Sequence, residues 1–387
     1  MMLHNKLLNN NLLKDGKTYD ESLLWTIVFI TAFSLIMVFS ASIAIAQADD
    51  GNKWFFLERQ MMFVAMGTIF GAIAFQFPMK WWKVVTPYVL GISLLLLLLV
   101  LFPGVGREVN GAKRWIPLGP VNIQPSEIFK LATVLYIASF VTRREEVLGN
   151  LRKGLLPVAG IMAVGLALIM FEPDFGSFMM VAATAVLMLF LGGMPIKWFL
   201  STLVLGAALT TTLILAAPYR LKRVSGFLDP WADPYGKGYQ LTHSLLAFGR
   251  GEWFGVGLGG SIEKQFYLPE AHTDFIMAVV AEEFGFVGML ALIMVYVWIV
   301  WRAFSIGMRA KSLEQYFSAA VAKGIGVWIG IQSFFNIGVN LGLLPTKGLT
   351  LPLMSYGGSA VIVTLVGVAL LLRIDWENRR LMRGYKL

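Results

Sequence analysis

The 387-residue chain is 57% hydrophobic and 14% charged, with a mean hydropathy of +0.70, which excludes a soluble pair of domains and points to membrane spans. Its formal charge of +9 lies mainly at the ends of apolar runs, so membrane orientation accounts for it and nucleic acid is not an implied partner. With no cysteine, disulfides, metal thiolates and thiol nucleophiles are ruled out.

Residues 1–22 form a polar tail, and the first apolar run lacks a small-residue cleavage site, so it is expected to stay as a span. Apolar runs of spanning length follow at 23–46, 60–78, 84–102, 125–141, 154–171, 176–193, 197–217, 275–301, 320–343 and 353–373, and a polar tail closes the chain at 374–387. The pattern predicts an all-α polytopic membrane protein of about ten transmembrane helices, with a single membrane domain over 23–373. An even count puts both termini on one side. That side carries 19 Lys and Arg against 6 in the short loops opposite, which makes the termini cytoplasmic.

Every other segment rich in Gly, Pro and charge then falls on the outer face: 104–127, 171–177, 218–273 and 344–359. Function is expected there. The extracytoplasmic loop 218–273, between helices seven and eight, has 56 residues and no span, a length that is usually functional. Within it Leu241, Leu245 and Phe248 recur at helical spacing, which predicts an amphipathic helix over 239–248 lying in the membrane interface. The glycines between Gly249 and Gly260 would let the following backbone serve as a lid.

The stretch YLPEAHTDFIMAVVAEEFG, 267–285, packs Glu270, His272 and Asp274 where this loop enters the eighth helix. An ionisable group at membrane depth is costly and marks a functional site, so Asp274 is the candidate catalytic carboxylate. It reads equally as an N-cap of that helix, with Thr273 in competition. Glu270 and His272 are supporting candidates. Glu127 and Lys130 stand at i, i+3 at the start of the fourth helix, a spacing for an ion pair on one face. With Arg107, Lys113, Arg114, Arg220, Arg223, Arg250 and Lys347 they form a set of outer-face groups suited to a lipid-linked diphosphate, with Arg107, Arg220 and Lys347 ranked next after Lys130. Gln332, Asn336 and Asn340 draw a polar stripe on the ninth helix, which reads as interhelical hydrogen bonding or as the lining of a cavity. Glu282 and Glu283 call for protein or water around them. Neither HExxH, GxxxxGK[ST] nor GxSxG occurs, so zinc hydrolysis, ATP-driven transport and the usual serine-hydrolase scheme lack support.

The blocks GAKRWIPLG, IQPSEIFKL, EPDFGS, PYRLKRV, YLPEAHTDFIMAVVAEE and LPTKGLTLPLMSYGGS, in this order, resemble the SEDS family of bacterial cell-wall proteins over nearly the whole chain. AFGRGEWFGVGLGGSIEK and YLPEAHTDF are similar to the division branch of that family more than to its elongation branch. The resemblance implies a peptidoglycan glycosyltransferase of the inner membrane at the division septum. Such an enzyme polymerises lipid II on the outer face, working with a class B penicillin-binding transpeptidase and other division proteins. It also implies that Asp274 is the essential acidic residue and that Glu127 and Lys130 match a second family motif. No cofactor is required, and a divalent cation is neither demanded nor excluded. A lipid II flippase, an elongation-type polymerase and a scaffold for the transpeptidase are the rival readings.

Overall fold

The computed structural model describes residues 18–49, 51–109, 112–119, 121–144, 148–346 and 348–386. Every apolar run becomes a helix. In chain order the elements are α1 (Glu21–Asp49), α2 (Phe55–Gln76), α3 (Met79–Val100), β1 (Arg107–Val109), β2 (Ala112–Leu118), β3 (Val121–Ile123), α4 (Pro125–Arg143), α5 (Leu156–Phe171), α6 (Phe175–Leu191), α7 (Ile196–Leu215), α8 (Pro218–Leu228), α9 (Tyr239–Gly251), α10 (Ile276–Ser312), α11 (Tyr316–Asn340) and α12 (Gly358–Met382). Eight helical segments are long and apolar enough to cross a bilayer; α4, which carries Glu127, Lys130 and Arg143, and the 17-residue α6 complete the ten. The chain is a multi-pass membrane protein.

Local chemistry sets the helix starts. Pro125 opens α4 from an extended Gln124, and Asp174 caps α6 by accepting the Ser177 amide at 3.0 Å and the Ser177 hydroxyl at 2.7 Å. Before α5 a π-helical turn, Leu151–Leu155, is held by Asn150, whose side chain accepts the amides of Arg152 and Lys153. In α2, Gly67 and Gly71 bring the backbone onto α12: a Cβ on Gly67 would lie 2.6 Å from Leu365 Cδ1 and one on Gly71 would lie 3.3 Å from Ala369 Cβ. This is the small-residue packing that membrane helices use in place of a hydrophobic drive.

The core lies along α4, α11 and α12. From Pro125 to Phe140 all of α4 is buried except Ile128, and Trp328 of α11 is 1% exposed. By contrast α7 has no buried residue and lies at the edge of the bundle.

Four features differ from expectation. The segment 107–123 is a three-stranded antiparallel sheet, ordered β1-β2-β3, with Gly119 at φ 62° turning β2 into β3. A second loop helix, α8, precedes the anticipated one. The anticipated helix, α9, turns its buried face to protein and not to lipid: Leu241, Ser244 and Ala247 are buried, and Ser244 Oγ donates to the Asn340 carbonyl at 2.8 Å.

The fourth difference is the glycine segment, which is a backbone brace and not a lid. α10 breaks at Gly285 (φ 69°, ψ −166°), a conformation open to glycine. The chain from Glu252 to Gly257 enters the break. The amides of Val256 and Gly257 donate to the carbonyls of Glu282 and Glu283, and those of Phe286 and Val287 donate to Glu252 and Trp253, at 2.8–3.1 Å. Irregular backbone at membrane depth thereby stays hydrogen-bonded. A Cβ on Gly255 would lie 2.2 Å from the Glu283 carbonyl oxygen, so no larger residue fits without displacing the brace.

Candidate active site

A cavity of about 710 Å³ lies where the connections 112–124, 172–175, 252–275 and 341–357 meet the helix ends. Asp274, Glu127 and Lys130 all line it, together with Glu270, His272, Arg59 and Arg114. These residues come from four separate segments, and the cavity sits at the end of the bundle that the charge distribution places outside.

Asp274 is not the helix cap. The N-cap position of α10 belongs to Phe275, whose side chain makes no capping bond. Glu270, at φ 57°, turns the chain so that the amides of Thr273 and Phe275 both donate to its carbonyl at 3.1 Å. The Asp274 main chain is fixed from α11: the side-chain amides of Asn336 and Asn340 each donate to its carbonyl at 2.9 Å. Asn340 Oδ1 in turn accepts the Ala278 amide at 3.1 Å, an amide it shares with the Phe275 carbonyl at 3.0 Å, and so ties the start of α10 to α11. Gly348 closes on the carboxylate, so that a Cβ there would lie 3.3 Å from Asp274 Oδ2.

Lys130 is 3% exposed and pairs with Glu127 Oε1 at 2.8 Å. Its Nζ also donates to Gln332 Oε1 at 3.1 Å, and the same oxygen accepts Trp328 Nε1 at 2.9 Å. Gln332 Nε2 donates to the Thr350 carbonyl at 2.8 Å. The stripe on α11 therefore does both things read from it: Gln332 lines the cavity, while Asn336 and Asn340 are buried glue behind Asp274.

On the facing wall, Asp174 accepts Gln124 Nε2 at 3.1 Å in addition to its capping bonds. Arg114 donates to the carbonyls of Glu172 and Pro173, at 3.0 and 2.5 Å, and so pins β2 to the α5–α6 connection. Glu172 is fully buried with neither carboxyl oxygen hydrogen-bonded; burial first, and the nearby Asp174 charge second, push it up to about 9. The His272 ring stacks between Phe56 and Tyr356, with centroids at 4.4 and 5.6 Å. Burial holds it below the usual histidine value against the pull of Glu270, so it is neutral at pH 7. Desolvation raises the Tyr356 phenol, with Arg59 alongside opposing the shift.

The arrangement sets a carboxylate, a buried lysine and two arginines around one space, where a proton can be taken and an anion held. Of the cations named from sequence, Arg107 is exposed on β1 and does not line the cavity among the described residues. Lys347 lies outside the described residues, and α8 carries Arg220 without a described side chain. Sequence reasoning passed over Arg59, Asp174 and Tyr356, which do line it. Arg59 had a usable signal as a cation at an outer helix mouth, whereas Tyr356 had none.

The family model described as "Cell cycle protein", covering FtsW, RodA and SpoVE, matches residues 21–380. The chain belongs to the SEDS family. Among SEDS relatives, the probable peptidoglycan glycosyltransferase FtsW of Neisseria gonorrhoeae is 51% identical, across 100% of this chain and 90% of its own length. That of Aromatoleum aromaticum is 50% identical, across 94% of this chain and 90% of its own. Among solved SEDS-like structures, a chain from a peptidoglycan synthase complex, described as coordinating polymerization and crosslinking, superposes with a TM-score of 0.75 at 31% identity. It covers 93% of this chain and 98% of that one. The crystal structure of Thermus thermophilus RodA superposes with a TM-score of 0.66 at 28% identity, covering 92% and 96%.

Proposed function

We infer that this SEDS protein is a peptidoglycan glycosyltransferase that polymerises lipid II at the outer face of the inner membrane during septal wall synthesis, with Asp274 as general base. The observation that carries the reading is the meeting of Asp274, Glu127 and Lys130 in one cavity. The relatives named as FtsW support the division role, and the similarity to a chain of a synthase complex supports a crosslinking partner of the class B transpeptidase type.

The reaction is a single inverting displacement. Asp274 accepts the proton of the C4 hydroxyl on the acceptor sugar, and that oxygen forms a bond to the anomeric carbon of the growing chain. The bond from that carbon to the diphosphate breaks, and polyprenyl diphosphate leaves with the electron pair. General-base help of this kind is worth about 10²- to 10⁴-fold. Lys130 has two of its three N–H groups directed at Glu127 and Gln332 and offers the third to the leaving diphosphate. Arg114, one of the outer-face cations named from sequence, and Arg59, which was not, line the cavity and take this role in place of Arg107. Glu270, His272 and Asn336 act through position: Glu270 and Asn336 hold the Asp274 main chain, and His272 packs the wall.

The test is polymerisation of lipid II in detergent by the protein with its partner transpeptidase. Asp274→Asn should retain fold and lipid II binding and lose at least about 100-fold in rate. Polymer at the parent rate from that variant would overturn the base assignment. Formation of glycan strands in detergent, where the two sides of a membrane are lost, distinguishes a polymerase from a flippase or a scaffold.

A further inference from the structure

At the end of the bundle opposite the large cavity, α4, α6 and α10 finish and α11 begins around a second, small cavity of about 80 Å³. Val141 and Met188 form apolar walls. Glycine keeps the space open at two points: a Cβ on Gly192 would lie 2.6 Å from Val141 Cγ1, and one on Gly324 would lie 2.5 Å from Met188 Cε. The mouth carries Lys311, Lys323 and Tyr316. Lys311 is exposed, and Lys323 is half-buried with its stem packed on Gly307.

Among the described residues the charge here is uncompensated, unlike that of its neighbours. At the same end Asp20 pairs with Arg302, Asp375 with both Arg309 and Arg379, and Glu377 with Arg373. Among the described residues neither Lys311 nor Lys323 has a carboxylate partner, and Glu314, close in sequence, is exposed and does not line the cavity. Two like charges facing one pocket repel each other unless an anion lies between them. The N-terminus of α11, with Tyr316 at the mouth, adds the positive end of a helix dipole. Leu191, 44% exposed, adds an apolar side chain at the opening.

We propose that this cavity binds the phosphodiester headgroup of an anionic phospholipid of the cytoplasmic leaflet, with the phosphate between Lys311 and Lys323 and the acyl chains over Leu191. The cavity has room for the phosphate group itself, lies at the end where the positive-inside rule places the cytoplasm, and combines a cationic mouth with an apolar approach. It is independent of the glycosyl-transfer reading, since it lies at the other end of the helices.

The test uses the full chain in nanodiscs of phosphatidylcholine with and without phosphatidylglycerol, and native mass spectrometry to count retained lipid after extraction. The parent should retain phosphatidylglycerol selectively. Lys311→Gln/Lys323→Gln should lower that retention roughly 10- to 30-fold, the worth of two lysines near an anionic surface, with an unchanged circular dichroism spectrum. Arg152→Gln/Lys153→Gln, which removes equal charge at the same end but outside the cavity, should retain lipid like the parent. Equal loss in both variants would mean diffuse attraction and overturn the site, as would unaltered retention in the lysine pair. Displacement of the lipid by millimolar inorganic phosphate alone would reassign the cavity to a free anion and equally overturn the proposal.

Discussion

Removing Lys264 should destabilise the outer half of the protein more than any exposed charge change. Lys264 is 3% exposed, and its Nζ donates to Glu283 Oε1 at 2.5 Å and to Ser40 Oγ at 2.8 Å. Ser40 Oγ donates onward to the same Glu283 oxygen at 2.7 Å, so one triad joins α1, the loop and the broken helix. Glu283 is fully buried and its Oε2 already has no hydrogen-bond partner. In Lys264→Met the carboxylate would keep only the serine. Breaking a buried pair from one side in this way costs about 3–5 kcal/mol.

The double variant Lys264→Met/Glu283→Leu removes both charges, and replacing a buried pair by apolar residues is often neutral, so it should recover most of that loss, about 2 kcal/mol or more. Unfolding of the parent, both single variants and the double variant in mixed micelles would give the coupling energy directly. Lipid II turnover should follow the same order, because residues 261–268 lead into the Glu270–Asp274 turn. A single variant within about 1 kcal/mol of the parent, the range of an exposed pair, would refute the reasoning.

Glu172 gives a pH dependence. Its carboxyl in the folded protein titrates at about 9 against 4.5 for the free group, so between these values the folded state holds a proton that the unfolded state has lost. Stability should therefore fall as pH rises through that window, by up to about 4 kcal/mol at pH 7.5, and Glu172→Gln should flatten the slope in melts from pH 5 to 9. A slope unchanged in Glu172→Gln would assign the dependence to other groups. Gly348→Val should crowd Asp274 Oδ2, where even a Cβ reaches 3.3 Å, and slow polymerisation at least about tenfold while the melting point of this exposed position changes by less than about 0.5 kcal/mol equivalent. A parent-like rate in that variant would show that the carboxylate reacts from elsewhere.

The helices were legible because each spanning run must be apolar for its full length, and all ten runs appear as helices. The partners of polar groups were legible only when close in sequence. Glu127 and Lys130, three residues apart, meet as their spacing implies. Glu282, by contrast, finds Ser261, the amides of Ile262 and Glu263, and Arg250, none of which its own helix could indicate. The sheet at 107–123 was missed because its strands are short and lack apolar alternation, and pairing with one another is what stabilises them. The break at Gly285 was hidden for the opposite reason. Its neighbours Phe284, Phe286 and Val287 continue the apolar run, and only the loop backbone entering at that level reveals why a glycine stands there.

The same contrast explains how Asp274 and Lys130 acquire a fixed relation. A nine-residue helical stub, 276–284, follows directly on Asp274 and the N-cap Phe275. At its far end the loop amides of Val256 and Gly257 clamp the carbonyls of Glu282 and Glu283. At its near end Asn336 and Asn340 clamp the Asp274 carbonyl and the Ala278 amide. One turn earlier on α11, Gln332 holds Lys130. A stripe at four-residue spacing thus sets the acid and the cation from one rigid helix, so motion of the loops need not change their separation. The Asn336 side-chain amide also donates to the Leu349 carbonyl, next to the Gly348 that lies against the carboxylate. A carboxylate placed by its main chain, with its side chain directed at a shared cavity, is what a base for a large lipid-linked acceptor requires: position is built into the fold before substrate arrives.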